Sequence, residues 1–177
     1  LEIGTAQGGT FAGWTYLAPK DATLIAIDRD LNDCRPRPGE PVHQAVGDNA
    51  RPAMTSHGGG IYRLAHQNQI IIPINGWSHE PQTIALLTEK LAGRKIDFLF
   101  HDASHSKEMF ATDWKIYWPF IADGGVFAAH DIQESKAPNC DKSVEWQRIK
   151  AEETYSACYE FRGSATDDSL GIGLLIK

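Results

Sequence analysis

Acidic, hydroxyl and imidazole side chains recur in this chain where apolar runs end. Glu2 lies in the opening run. Asp28 follows Thr23-Leu24-Ile25-Ala26-Ile27, and Ser78 comes shortly after the run Gln69 to Ile74. Asp102 and His105 follow Ile96 to His101, and His130 and Asp131 follow Val126 to Ala129. Carboxylates accept hydrogen bonds from hydroxyls, and an imidazole exchanges a proton near neutral pH. Aspartates that cap helices account for one or two such positions, not for the set. The first ten residues, LEIGTAQGGT, run from a strand end through small residues into a helical pattern. Glycine allows a sharp turn and a close approach by a ligand. At the carboxyl edge of a parallel sheet, such a turn is where nucleotide-like ligands bind. Asp28, closing the second strand, is placed to accept both hydroxyls of a ribose. Taken alone, the turn reads equally well as a plain strand-to-helix connection.

The elements that must position these groups follow from periodicity. Phe11, Trp14 and Leu17 predict a helix that ends before Pro19 and Asp21. Arg35-Pro36-Arg37-Pro38-Gly39-Glu40-Pro41 fits neither helix nor central strand, and Gly58-Gly59-Gly60 closes the same stretch. Residues 32–60 are therefore expected to be an irregular loop, either a lid over the substrate or disordered. Ile61 to Ala65 predicts a short helix, Gln69 to Ile74 the third strand, and Asn75 to His79 its turn. A helix starting at Pro81 buries Ile84, Leu87 and Leu91. Ile96 to His101 is the fourth strand, with His101 assigned to packing. Phe110, Trp114, Tyr117 and Ile121 form the next apolar stripe. Asp123-Gly124-Gly125 is expected to turn into a fifth strand, Val126 to Ala129. A helix over Val144 to Glu153 and strands at Tyr159 to Phe161 and Ile172 to Ile176 close the chain. Strands alternating with helices predict a doubly wound α/β sheet, with its site at the carboxyl ends of the strands.

With 177 residues, one domain over 1–177 is expected. The net charge of -6 argues against a nucleic-acid backbone as partner. Cys34, Cys140 and Cys158 have neither zinc nor disulfide-framework spacing and read as reduced thiols of a cytoplasmic protein. No run is long enough to span a membrane, and no signal peptide is expected. Only Leu1 to Ile3 precede Gly4, so the first strand is expected to continue upstream of residue 1. His43, His57, His66 and His79 read as loop or surface residues, and Arg35 and Arg37 as a solvated loop.

The strings LEIGTAQGGT, LIAID, INGWSHEPQT, IDFLFHDASHS, IADGGVFAAHDI and GIGLLIK, in this order, resemble the class I S-adenosylmethionine-dependent methyltransferases. Within them, the chain is most similar to the cephalosporin-hydroxylase-like and sugar O-methyltransferase branch. The resemblance implies a Rossmann-like sheet of seven strands, mostly parallel with the last antiparallel. It also implies a donor lying across the first, second and fourth strand ends. Gly4, Ala6 and Gly8 match the glycine-rich turn, with Ala6 replacing the usual middle glycine. Glu2 matches the acid that opens this motif, and Asp28 the ribose-binding acid. Gly76 and Ser78 match a glycine–acid–serine turn bordering adenine. Trp77 stands in the acid's place, either covering the adenine face or serving as a core-edge or surface aromatic.

Asp102, His130 and Asp131 match positions that hold a divalent cation in metal-dependent members. Two carboxylates suit magnesium, while an imidazole shifts preference towards manganese, iron or zinc. Hydrogen bonding without a metal is the alternative. Asp102 is also counted with the donor site and as a catalytic residue. His105 matches a histidine that either takes the acceptor's proton or caps and supports the site. Ser104 stands where some relatives carry a carboxylate. The implied activity is methyl transfer from S-adenosylmethionine, with or without magnesium or manganese, to a hydroxyl of a sugar or other small molecule. A homo-oligomer is compatible with it. The alternatives are a donor-binding protein or partner subunit without catalysis and, less favoured, a nicotinamide-dependent oxidoreductase. The Gly-x-Gly-x-x-Gly fingerprint of the last is not met by Gly4 to Gly9.

Overall fold

The structure, a computed structural model, describes residues 1–6, 8–29, 31, 61–134, 140–163 and 171–177. The irregular stretch expected over 32–60 lies outside the described residues, and with it Cys34, Arg35, Arg37, His43 and His57. All seven strands belong to one sheet, and they fall into two compact units, Leu1–Leu87 and Thr88–Lys177.

The first unit contains β1 (Glu2–Ile3), α1 (Gly9–Leu17), β2 (Thr23–Asp28) and β3 (Ile70–Asn75), with a 3-10 turn over Ile61–Leu64. Its strands are parallel in the order β3-β2-β1. Pro73, which cannot donate to a ladder, is tolerated because β3 is an edge strand. β2 is buried from Leu24 to Ile27, as expected of a parallel strand covered on both faces. Its residues Leu24 and Ala26 pack with Phe11, Leu31, Ile61, Ala65 and Ile71. Buried Gln69 closes the end of α1: its amide donates to the carbonyl oxygens of Thr15 (2.8 Å) and Pro19 (3.0 Å). Leu17, expected on the inner face of α1, is 78% exposed. The inward stripe is Phe11, Trp14, Thr15 and Ala18, which leaves Leu17 pointing away from it.

The helix α2 (Pro81–Leu91) starts at its proline, and Leu87 and Leu91 are buried. The second unit contains β4 (Ile96–His101), α3 (Lys107–Tyr117), β5 (Ile121–His130), α4 (Lys142–Glu152), β6 (Ala157–Phe161) and β7 (Ile172–Ile176). Its strands run in the order β4-β5-β7-β6, with β7 antiparallel to both neighbours. The sheet is therefore seven-stranded and mostly parallel with the last strand reversed, as the resemblance implied. Phe110, Trp114, Tyr117 and Phe127 form an aromatic core, with Trp114 stacked on Trp118 at 4.4 Å.

Asp123-Gly124-Gly125 corrects a second expectation. It is not a turn preceding the fifth strand but an irregularity inside it. Pairing jumps from Ile96↔Ile121 to Phe98↔Val126, and Gly124 takes a φ of 77° to absorb the extra residues. The helix expected over Val144 to Glu153 is α4; its Val144 is exposed, and its buried apolar face is Trp146 and Ile149.

Candidate active site

In the first unit, the polar groups gather around Asp28. Its carboxylate accepts the Ala6 N–H at 2.8 Å, and its carbonyl accepts the Gly76 N–H at 2.9 Å. One residue at the end of β2 thus ties together the turn after β1 and the turn after β3. The first turn is wound through left-handed conformations at Gly4 (φ 87°), Ala6 (φ 45°) and Gly8 (φ 78°). Gly4 and Gly8 reach these φ values without strain, whereas Ala6 does so at a cost. A Cβ on Gly8 would meet Ile61 Cγ2 at 3.3 Å. Thr5 is buried, and its hydroxyl has no hydrogen-bond partner among the described residues. Glu2 is 1% exposed, in register with Ala26. A bend of small residues with an unpartnered buried hydroxyl and an acid at the neighbouring strand end fits a nucleoside-type donor. Ser78 is buried, and Trp77 is half-exposed with the Arg29 guanidinium 4.8 Å above its ring. Gly76 is crowded: a Cβ there would collide with the Thr83 hydroxyl.

The second unit gathers Asp102, His105, His130 and Asp131 at the ends of β4 and β5. His105 Nε2 lies 3.1 Å from Asp131 Oδ2. His130 Nδ1 lies 2.8 Å from Asp131 Oδ1 and 3.4 Å from Asp102 Oδ1. The Asp102 and Asp131 carboxylates beside its Nδ1 push the His130 imidazole up to about 10. Burial would raise the Asp131 carboxyl, but the His130 imidazole beside it holds it below its ordinary value. Asp131 is 3% exposed in its side chain and adopts a φ of 62°, a strained conformation for a non-glycine residue.

Among the described residues, Asp102, His105 and Asp131 each offer a ligand atom within 4.8 Å of the others. Two carboxylates and an imidazole fit a divalent cation and suit manganese, iron or zinc as well as magnesium. The sequence grouping was Asp102, His130 and Asp131. In the fold His105 completes the cluster, and His130 Nδ1 lies against both carboxylates. Ser104 contacts the Ser106 hydroxyl, and Ser106 caps α3 by accepting the Met109 N–H at 3.3 Å.

Sequence reasoning missed a group of ionisable residues close by. His101, Asp113 and Lys142 are each 0% exposed. His101 Nε2 lies 2.9 Å from Asp113 Oδ2, and the Lys142 ammonium lies 3.0 Å from His101 Nδ1. Burial lowers His101, and the neighbouring ammonium lowers it further. Burial also lowers Lys142, to about 8, against the pull of Asp131 and Asp102. His101 does pack, edge-on to Phe110 at 5.0 Å, but as a member of this polar group. The available signal was Asp113, a carboxylate set inside the apolar stripe Phe110, Trp114, Tyr117.

A family model described as a methyltransferase domain matches residues 1–132. No curated protein matches the sequence. Among solved structures, an O-methyltransferase from Bacillus cereus in complex with S-adenosylhomocysteine superposes with a TM-score of 0.61 at 16% identity. That match covers 99% of this chain and 72% of the other. The calicheamicin methyltransferase CalS11 gives a TM-score of 0.57 at 13% identity, covering 99% of this chain and 70% of the other. The mycinamycin-pathway methyltransferase MycE, in complex with Mg and S-adenosylhomocysteine, gives 0.52 at 13% identity, over 98% of this chain and 43% of the other. At these identities the likeness is one of fold.

Proposed function

The chain belongs to the methyltransferase-domain family, and on that premise we propose that it moves a methyl group from S-adenosylmethionine to a hydroxyl of a small acceptor. A sugar or glycosylated metabolite is the acceptor class we favour. That choice is supported by fold neighbours named as calicheamicin and mycinamycin methyltransferases. The single domain over 1–177, a cytoplasmic setting and the absence of a nucleic-acid or membrane partner belong to the same proposal. No helix among the described residues is long and apolar enough to cross a membrane.

The observation that carries the reading is Asp28. It ends β2, holds the bend after β1 through Ala6 N–H, and is the acid placed for a ribose. Gly4, Ala6 and Gly8 let the backbone approach the donor, and Gly76, Trp77 and Ser78 border its base. The sulfonium already activates the methyl group, so the protein's task is alignment, which supplies much of the rate. In the metal-free reading His105 accepts the acceptor's proton, and Asp131, 3.1 Å away, orients its ring and stabilises the imidazolium that forms. Asp102, Asp131 and an imidazole would hold a divalent cation, which when bound would orient the acceptor hydroxyl and lower its pKa.

Titration calorimetry tests this. S-adenosylhomocysteine should bind the wild type, and NAD should not. Asp28→Ala should weaken donor binding by about 10- to 100-fold, the worth of hydrogen bonds to a charged group. Asp102→Ala should keep most of the donor affinity yet abolish transfer in a screen of sugar acceptors run with and without chelator. No affinity for either nucleoside would end the proposal. Donor binding without turnover on any acceptor would favour the non-catalytic reading.

A further inference from the structure

We propose that Lys142 is a positioning residue for the cluster of Asp102, His105 and Asp131, because it grips both ends of the segment that carries two of them. Its ammonium donates to the His101 carbonyl at 3.1 Å and lies 3.0 Å from the His101 ring, one residue before Asp102. Its backbone N–H donates to the His105 carbonyl at 2.9 Å, and the Asp141 N–H reaches the same oxygen at 3.1 Å. The Asp141 carboxylate in turn accepts the Lys107 N–H at 2.8 Å. The start of α4 therefore holds residues 101 to 107 from His101 to the first turn of α3.

The far side of the grip is equally fixed. His101 Nε2 meets Asp113 of α3 at 2.9 Å, and the ammonium lies 4.7 Å over the Phe110 ring. Three fully buried ionisable side chains are a weak source of stability, because desolvation offsets most of their attraction. Apolar residues of similar volume would fill the same space. What the polar set does supply is a fixed direction: each hydrogen bond locks a ring or a carbonyl next to a site residue. The site role rests on the methyl-transfer reading, but the geometric claim does not.

The test uses Lys142→Met and the double variant Lys142→Met/Asp113→Asn, which removes the charge left behind on α3. Mn2+ affinity is read by electron paramagnetic resonance and S-adenosylhomocysteine affinity by calorimetry. The melting temperature and the His105 ring Cε1–H resonance, assigned with His105→Gln, are also recorded. The expected result is Mn2+ binding weakened about tenfold or more and a displaced His105 resonance. The donor product should bind as before, and the double variant should melt close to the wild type. A folded variant with wild-type Mn2+ affinity and an unmoved His105 resonance overturns the inference. Failure of both variants to fold also overturns it, by making Lys142 a stability residue. If the wild type takes up no Mn2+, the metal reading fails separately, and the His105 resonance alone decides: displacement supports the positioning role and no change refutes it.

Discussion

Ala6 shows how much a single residue discloses. It occupies the middle of the opening bend at φ 45°, where an alanine methyl crowds its own backbone. Its N–H nevertheless bonds Asp28 at 2.8 Å, so the bend is held in this shape by its surroundings. Ala6→Gly should relieve the strain and give back part of the gain as chain entropy. The expected net effect is neutral to about 1 kcal/mol stabilising, with donor affinity retained. Urea unfolding and calorimetry check it, and a clear loss of stability would mean that the methyl group has a packing role. The substitution of glycine by alanine was legible in the sequence, but its strain was not, since it shows only in the folded bend, where the Ala6 N–H bonds Asp28, 22 positions away.

At the scale of elements, α4 is fastened to β7 through an absent side chain. Gly173 of β7 leaves room for the Trp146 ring, and a Cβ there would collide with it. Trp146 is fully buried, and its indole N–H donates to Glu160 of β6 at 2.8 Å. Gly173→Ala should therefore destabilise by about 1–3 kcal/mol through overpacking. Adding Trp146→Phe should recover part of that loss, so the two changes will not be additive. Chemical denaturation of the four proteins settles the matter, and full additivity would refute the contact. Of the elements themselves, β4 and β7 have the ends expected from their apolar runs, Ile96–His101 and Ile172–Ile176. β5 does not, because two glycines that read locally as a turn are held inside the strand by their neighbours. The Lys177 N–H donates to Gly125 at 3.0 Å, and the Gly124 N–H donates to Lys177 at 2.9 Å.

For the whole molecule, acid stability is the property to watch in a chain of net charge -6. Glu160 is the case with a definite sign. Burial would raise its carboxyl, but bonds from Lys150 (2.6 Å), Trp146 and Arg162 (2.6 Å) hold it at about 2, against an ordinary 4.5. The unfolded chain thus takes up this proton first as pH falls. The stability the group contributes is complete above about 4.5 and is lost on the way down to about 2. Glu160→Gln should cost about 1–2 kcal/mol at pH 7, and the gap to the wild type should narrow at pH 3.5. A gap that stays constant with pH would show that the ion cluster contributes nothing.

The sequence by itself determined the alternation of strands and helices, the family, and the placement of Asp28, Asp102, His105, His130 and Asp131 at strand ends. These are local facts, since a hydrophobic period and a turn composition are written within a few residues of each other. Only the tertiary structure decided which imidazole joins Asp102 and Asp131, and that His101, Asp113 and Lys142 meet in the core. Those three stand up to 41 positions apart, and a lone lysine at a helix start reads as solvated until the fold brings a histidine ring and a carbonyl to its ammonium. Contact between distant side chains is a product of packing, and packing leaves no periodic trace in the order of residues.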